Sequence, residues 1–322
     1  MYRPLVSIVI PVYNGSNFLN QSIQSALDQT YNNIEILVVN DGSNDDGASE
    51  AIALSYGDHI RYIAKGKNGG VSTVLNVAIS HMKGDWLSWL SHDDIYKQNK
   101  IQRQIEFINE LKYSAADLNR TVIYGGSETI NTNGQVIRGR LKRLRYRIKK
   151  YKHQLDRILD YAPIDGCTVL IPKYSFEEVG LFNESYRCVQ DREYWCRMIF
   201  KGYQFYFINE ILVQSRVHDR QVGRTNAELC KYESIKINKW FSDQVWNIEA
   251  FREWKHFWRL AWSQTKRGFP DAAIASFSYA KKLMNPITYT FLYPVSRVIY
   301  SGLFHSRIVL RWLYHKLYPI RI

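Results

Sequence analysis

At 322 residues and a net charge of +13, the chain is long enough to bury one large core or two modest ones. An apolar share of 46% excludes global disorder, and no uninterrupted apolar run approaches the roughly 18 residues that a spanning helix needs. The charge is uneven: residues 138–157 carry ten Lys/Arg against one acid, residues 272–322 carry seven and no acid, and the remainder is mildly acidic.

Residues 5–12 are almost wholly apolar and predict a buried strand, with Arg3 and Pro4 leading straight into it and no signal peptide expected. Ser16 is placed to cap a helix whose Leu19, Ile23, Ala26 and Leu27 share one face. Residues 34–39 predict a second strand ending in Asn40-Asp41-Gly42-Ser43. A short helix at 48–56 and a third strand at 60–64 follow. After the turn Asn68-Gly69-Gly70, the apolar stripe Val71, Val74, Leu75, Ala78 and Met82 predicts another helix. Residues 86–90 predict the fourth strand, which runs into His92-Asp93-Asp94, and Ile101, Ile105 and Ile108 mark the next helix. Strand–helix alternation of this kind implies an α/β fold with a mostly parallel sheet flanked by helices.

Beyond residue 112 the pattern changes. Residues 121–124 and a hairpin at Asn133-Gly134 predict antiparallel additions. A strand at 168–171 and a helix near 192–200 follow, and from about 226 the chain is helical, aromatic and basic. The expected division is a domain at 1–225, with halves at 1–112 and 113–225, and an extension at 226–322. Cys167, Cys188, Cys196 and Cys230 show no metal-like spacing and read as reduced thiols of a cytosolic protein.

Four polar motifs end the four parallel strands, at the sheet edge where open α/β folds bind ligands. Asp93 and Asp94 offer the hard oxygens that suit Mg²⁺ or Mn²⁺ bridged to phosphates. The plain alternative is a solvated turn whose Asp caps a helix starting near Tyr96. Together with the ring of Tyr13, the acid Asp41 and the backbone N–H groups around Asn68-Gly69-Gly70, the motifs suit a nucleotide diphosphate.

Residues 6–14, 36–43, 68–76 and 90–94 resemble glycosyltransferase family 2, inverting enzymes of the GT-A fold. The resemblance implies a nucleotide-diphosphate sugar (UDP- or dTDP-linked), a divalent cation, and a lipid-linked or surface-polysaccharide acceptor. It implies donor contacts from Pro11, Tyr13, Asn14, Asp41, Asn68, Gly69, Asp93 and Asp94, with Tyr13 flanking the base and Asp41 on the pyrimidine. It further implies metal ligation by Asp93 and His218, an acceptor side at Gly166 and Cys167, and Asp191 as general base. Arg216 and Arg220 could hold phosphate oxygens or face water. The chain departs from the pattern at Ser91, where an Asp is common, at Leu75, where a basic residue is common, and at Asn40, where an acid is common.

The segment 138–157 interleaves its cations with Leu141, Leu144, Tyr146, Ile148 and Tyr151. An anionic membrane surface, a solvated loop and nucleic acid are its competing readings, and no nucleic-acid motif accompanies it. With the acid-free tail, whose cations interrupt every apolar run, it predicts a cytoplasmic enzyme peripheral to the inner face of the cell membrane; the alternative for the tail is packing of its aromatics on the catalytic domain or a partner subunit. The alternative activity is a membrane-docked nucleotide or carbohydrate binder without catalysis. A sugar nucleotidyltransferase fits less well, since Tyr13-Asn14-Gly15-Ser16 is no glycine- and basic-rich loop.

Overall fold

The structure, a computed structural model, describes residues 2–139, 164–249, 252–290 and 292. It divides into two compact units, Met1–Ile237 and Asn238–Ile322.

In the first unit the strands are β1 (Val6–Val12), β2 (Ile34–Asn40), β3 (Arg61–Ala64), β4 (Trp86–Trp89), β5 (Ile95–Tyr96), β6 (Thr121–Ile130), β7 (Val136–Gly139), β8 (Leu170–Pro172) and β9 (Gln204–Arg216). Among the described residues these nine form one mixed sheet in the order β3-β2-β1-β4-β8-β6-β9-β5, with β7 paired to β6. The β3-β2-β1-β4 half is parallel, as its helical crossovers require. β8 then joins β4 antiparallel and reverses the direction.

All of β1 is buried, because both faces of the sheet are covered. Ile8 and Ile10 pack with Leu19, Ile23, Ile101 and Ile105 on one side. Val9 packs with Val74, Leu75, Tyr194 and Trp195 on the other. The helices supplying those residues are α1 (Leu19–Leu27), α3 (Val71–His81), α4 (Lys100–Leu111) and α7 (Gln190–Phe200). The shorter α2 (Ala48–Leu54), α5 (Ala115–Leu118) and α6 (Tyr174–Glu178) complete the layers. Each fully buried Val, Leu or Ile contributes about 2 kcal/mol.

Several expectations are corrected. α1 starts after Phe18 with no side-chain cap, so Ser16 does not cap it. Residues 95–96 form β5, an edge strand on β9, and the next helix begins only at Lys100. β9 has no counterpart among the expected strands, and Arg216 is its last residue. Cys188 and Cys230, expected as free thiols, are joined in a disulfide with Cα atoms 5.1 Å apart. Their separation of 42 residues leaves no local spacing signal.

After β9 come α8 (Val222–Thr225) and the long α9 (Ala227–Asn247). The second unit adds α10 (Trp254–Lys266) and α11 (Pro270–Leu283). It buries Phe241, Phe257, Leu260 and Phe277, and stacks Trp246 on Tyr279 with ring centres 4.6 Å apart. Among the described residues no helix is long and apolar enough to cross a membrane. The basic segment from residue 140 to 163 lies outside the described residues, as does the tail beyond residue 292.

Candidate active site

A cavity of about 1080 Å³ opens in the first unit where β1, β2 and β4 end. Pro11, Tyr13, Asn14, Asp41, Asn68, Asp93, Asp94 and His218 line it. Gly69, Gly166, Cys167 and Asp191 are not in its wall, but each adjoins or bonds a residue that is.

Asn14 takes the left-handed conformation (φ 49°) that a short polar side chain tolerates. Its backbone N–H donates to Ser43 Oγ at 2.9 Å, and its side chain exchanges hydrogen bonds with Asn44 at 2.7 and 2.8 Å. The Asn14 amide therefore locks two loops together, leaving Tyr13 41% exposed at the cavity.

Asp41 is buried and heavily engaged. Its Oδ1 accepts from Lys65 Nζ at 2.5 Å and Gly69 N at 2.9 Å, and its Oδ2 from Gly70 N at 2.7 Å. Lys65 also donates to Thr73 Oγ1. The glycine amides expected to cradle phosphates are thus committed to Asp41. Oδ2 keeps a lone pair for a ring N–H. Lys65 was missed because an isolated lysine at a strand end carries no pattern.

At the acid pair, Asp93 Oδ2 stands 2.9 Å from His218 Nε2. Asp94 Oδ1 accepts from the backbone N–H of Arg216 at 2.8 Å. Burial, then the charges of Asp93 and Asp165, push the Asp94 carboxyl well above the usual range. Arg216 is not a phosphate ligand. It is 1% exposed and donates to the carbonyls of Asp93, Asn131 and Thr132 and to Gln21 Oε1, at 2.7 to 3.1 Å. It is a strut that fixes the acid pair, whereas Arg220 does line the cavity.

Asp93 and His218 together are a donor set for a hard divalent cation. Among the described residues no group of three His, Cys, Asp or Glu side chains is placed to hold a metal. Mg²⁺ and Mn²⁺ commonly take one or two protein ligands and complete their shell with water and phosphate, so the pair fits.

Gly166 and Cys167 pack beneath β4. A Cβ on Gly166 would lie 2.6 Å from the Trp89 ring, and Cys167 Sγ meets Ser91 Oγ at 3.3 Å. Ser91, where the family pattern often has Asp, is thus paired with a thiol.

Asp191 is the second residue of α7. Val189 occupies the cap position, so capping does not explain Asp191. Arg192 N donates to its Oδ1 at 2.6 Å, yet burial, with help from Asp165, raises its pKa to about 6. Its neighbour Gln190 lines the cavity and keeps a buried Oε1 without a partner among the described residues.

The turn leading to Asp191 is stapled from two sides. From α3, Asn76 exchanges hydrogen bonds with the backbone of Phe182 at 2.9 and 3.0 Å, and Ser72 Oγ donates to Tyr186 O at 3.1 Å. From α9, buried Glu233 accepts the N–H groups of Arg187 and Cys188, each at 2.8 Å, beside the Cys188–Cys230 bond.

Residues 7–180 match the family model described as glycosyl transferase family 2. The chain is 47% identical over 221 residues to an uncharacterized glycosyltransferase of Rickettsia felis, covering 69% of this chain and 35% of that protein. The chain therefore spans about a third of the length of the first such relatives. A putative teichuronic acid biosynthesis glycosyltransferase, TuaG of Bacillus subtilis, is 25% identical over 81% of this chain and 93% of its own. The crystal structure of S. aureus TarS 1-349 in complex with UDP-GlcNAc superposes with a TM-score of 0.62 at 14% identity. That match covers 82% of this chain and 72% of TarS, and it shows a shared fold.

Proposed function

The chain belongs to glycosyl transferase family 2, and from that premise we propose that it moves a sugar, with inversion, from a UDP- or dTDP-linked donor. The acceptor is a lipid-linked or surface-polysaccharide hydroxyl, and the first unit carries the catalysis. The observation that carries this reading is Asp191: a carboxyl with its pKa raised to about 6 beside the cavity that the donor motifs line. A base poised near working pH suits proton abstraction from a hydroxyl.

In this mechanism the acceptor oxygen attacks the anomeric carbon as Asp191 takes its proton, and the bond to the nucleoside diphosphate breaks on the opposite side. Tyr13 flanks the base, and Asp41, held rigid by Lys65, Gly69 and Gly70, receives its edge. Asp93 and His218 would hold Mg²⁺ or Mn²⁺, which when bound neutralises charge on the diphosphate oxygens. Gly166 and Cys167 support the acceptor side through Trp89 and Ser91. The superposable TarS structure contains UDP-GlcNAc and TuaG is named for teichuronic acid biosynthesis, which supports the donor and polysaccharide classes. The two basic zones support docking on the anionic inner face of the cell membrane.

Full-length protein incubated with nucleotide sugars, Mn²⁺ and acceptor should release nucleoside diphosphate. Asp191→Asn should lower turnover at least a thousandfold and leave donor affinity within about twofold. Undiminished turnover in that variant would refute the base assignment.

A further inference from the structure

We propose that Arg187 holds the diphosphate of the nucleotide donor. The assignment rests on the donor reading above and adds a binding residue to it.

The N–H groups of Gly69 and Gly70, the obvious anion donors of the third motif, are bonded to Asp41. α3, which begins directly afterwards, contains no Lys or Arg. The cavity is also lined by Asp41, Asp93, Asp94 and Asp165, so a diphosphate entering it needs positive charge beyond the divalent cation proposed at Asp93 and His218.

Among the described residues three arginines line the cavity: Arg187, Arg220 and Arg224. Arg224 is paired with Asp219 at 2.7 Å. Arg187 alone is seen to reach the turn before α3. Its Nη1 donates to Asn68 Oδ1 at 3.0 Å, and its Cδ lies 2.9 Å from where a Cβ on Gly70 would stand. Gly70, at φ 84°, thus both turns the chain and leaves room for the arginine stem.

Asn68 is the one hydrogen-bond partner of the guanidinium among the described residues, and the group has five N–H donors in a planar fork. One donor anchors the fork and the others are available to phosphate oxygens, the geometry that makes arginine suited to such anions. Glu233 fixes the backbone of Arg187 from behind, so the side chain projects from a held base. The same turn carries Asp191 four residues later, which couples the grip on the leaving group to the placement of the base.

Calorimetric titration of the full chain tests this with four probes: UDP, dTDP, uridine and inorganic pyrophosphate. Arg187→Met should weaken UDP and pyrophosphate roughly ten- to a hundredfold while uridine changes by less than about twofold. Arg187→Lys should restore part of the loss, since charge returns without the fork. Unchanged pyrophosphate and UDP affinity in Arg187→Met overturns the assignment, as does equal weakening of uridine, which would mark a purely structural residue. A wild-type chain that binds no pyrophosphate overturns it too. If UDP and dTDP fail to bind while pyrophosphate binds in an Arg187-dependent way, the donor reading falls and the anion assignment stands.

Discussion

On the proposed mechanism, Asp191 ties the cavity's chemistry to pH. Below about 6 its carboxyl is protonated and cannot accept a proton. The rate at saturating metal should therefore climb about tenfold per pH unit up to that point and then level. The sign for stability is opposite. A folded pKa raised above the ordinary 3.8 means that a carboxylate disfavoured by burial is carried above about 6 and is absent below about 4. Asp191→Asn should consequently melt no lower than the wild type at pH 8, even as its turnover falls. Lys100 shows the mirror case. It is fully buried, with Nζ 2.7 Å from Ser88 Oγ and 3.0 Å from Gln104 Oε1, and burial lowers its pKa to about 7. Between that value and the ordinary 10.5, the unfolded chain binds the extra proton, so stability should rise with pH across this window. Urea midpoints at pH 7 and 9 should differ in the wild type and converge in Lys100→Met.

At the scale of elements, the turn that carries Asp191 is held from α9, well outside the four motifs of the parallel half. Glu233→Ala strands two partly buried N–H groups, at a cost of about 1 to 2 kcal/mol, and should cut turnover at least tenfold. Glu233→Gln, which keeps one acceptor oxygen, should recover part of both; melting curves and initial rates read the two effects. The parallel half of the sheet was legible because each apolar run stops at a compact polar motif, so strand ends and site residues announce one another. The second half lacks that coincidence. β9 carries Asn209 and Glu210 amid its apolar residues, and its place comes from parallel pairing with β6 and antiparallel pairing with β5. Arg216 looked like a loop cation because its partners sit near residues 21, 93 and 131, distances that no local pattern spans. The reach of Arg187 to Asn68 was hidden for the same reason.

For the whole molecule, the charge map sets up a test apart from catalysis. A basic segment of ten cations gains roughly 1 kcal/mol per Lys/Arg near an anionic leaflet. The full chain should co-sediment with phosphatidylglycerol vesicles, stay free of phosphatidylcholine vesicles, and detach in about 0.5 M salt, where the screening length falls below 5 Å. Binding indifferent to lipid charge and salt would remove the membrane from the proposal. The covalent ring between Cys188 and Cys230, 42 positions apart, encloses α7 and β9. Closing a loop of that size disfavours the unfolded ensemble by about 4 kcal/mol in the chain-entropy account. A reductant added to the buffer, harmless to a protein of free thiols, would here cut that ring and leave the Asp191 turn held to its neighbours by hydrogen bonds from Ser72, Asn76 and Glu233. The oxidation history of a preparation thus becomes part of its specific activity.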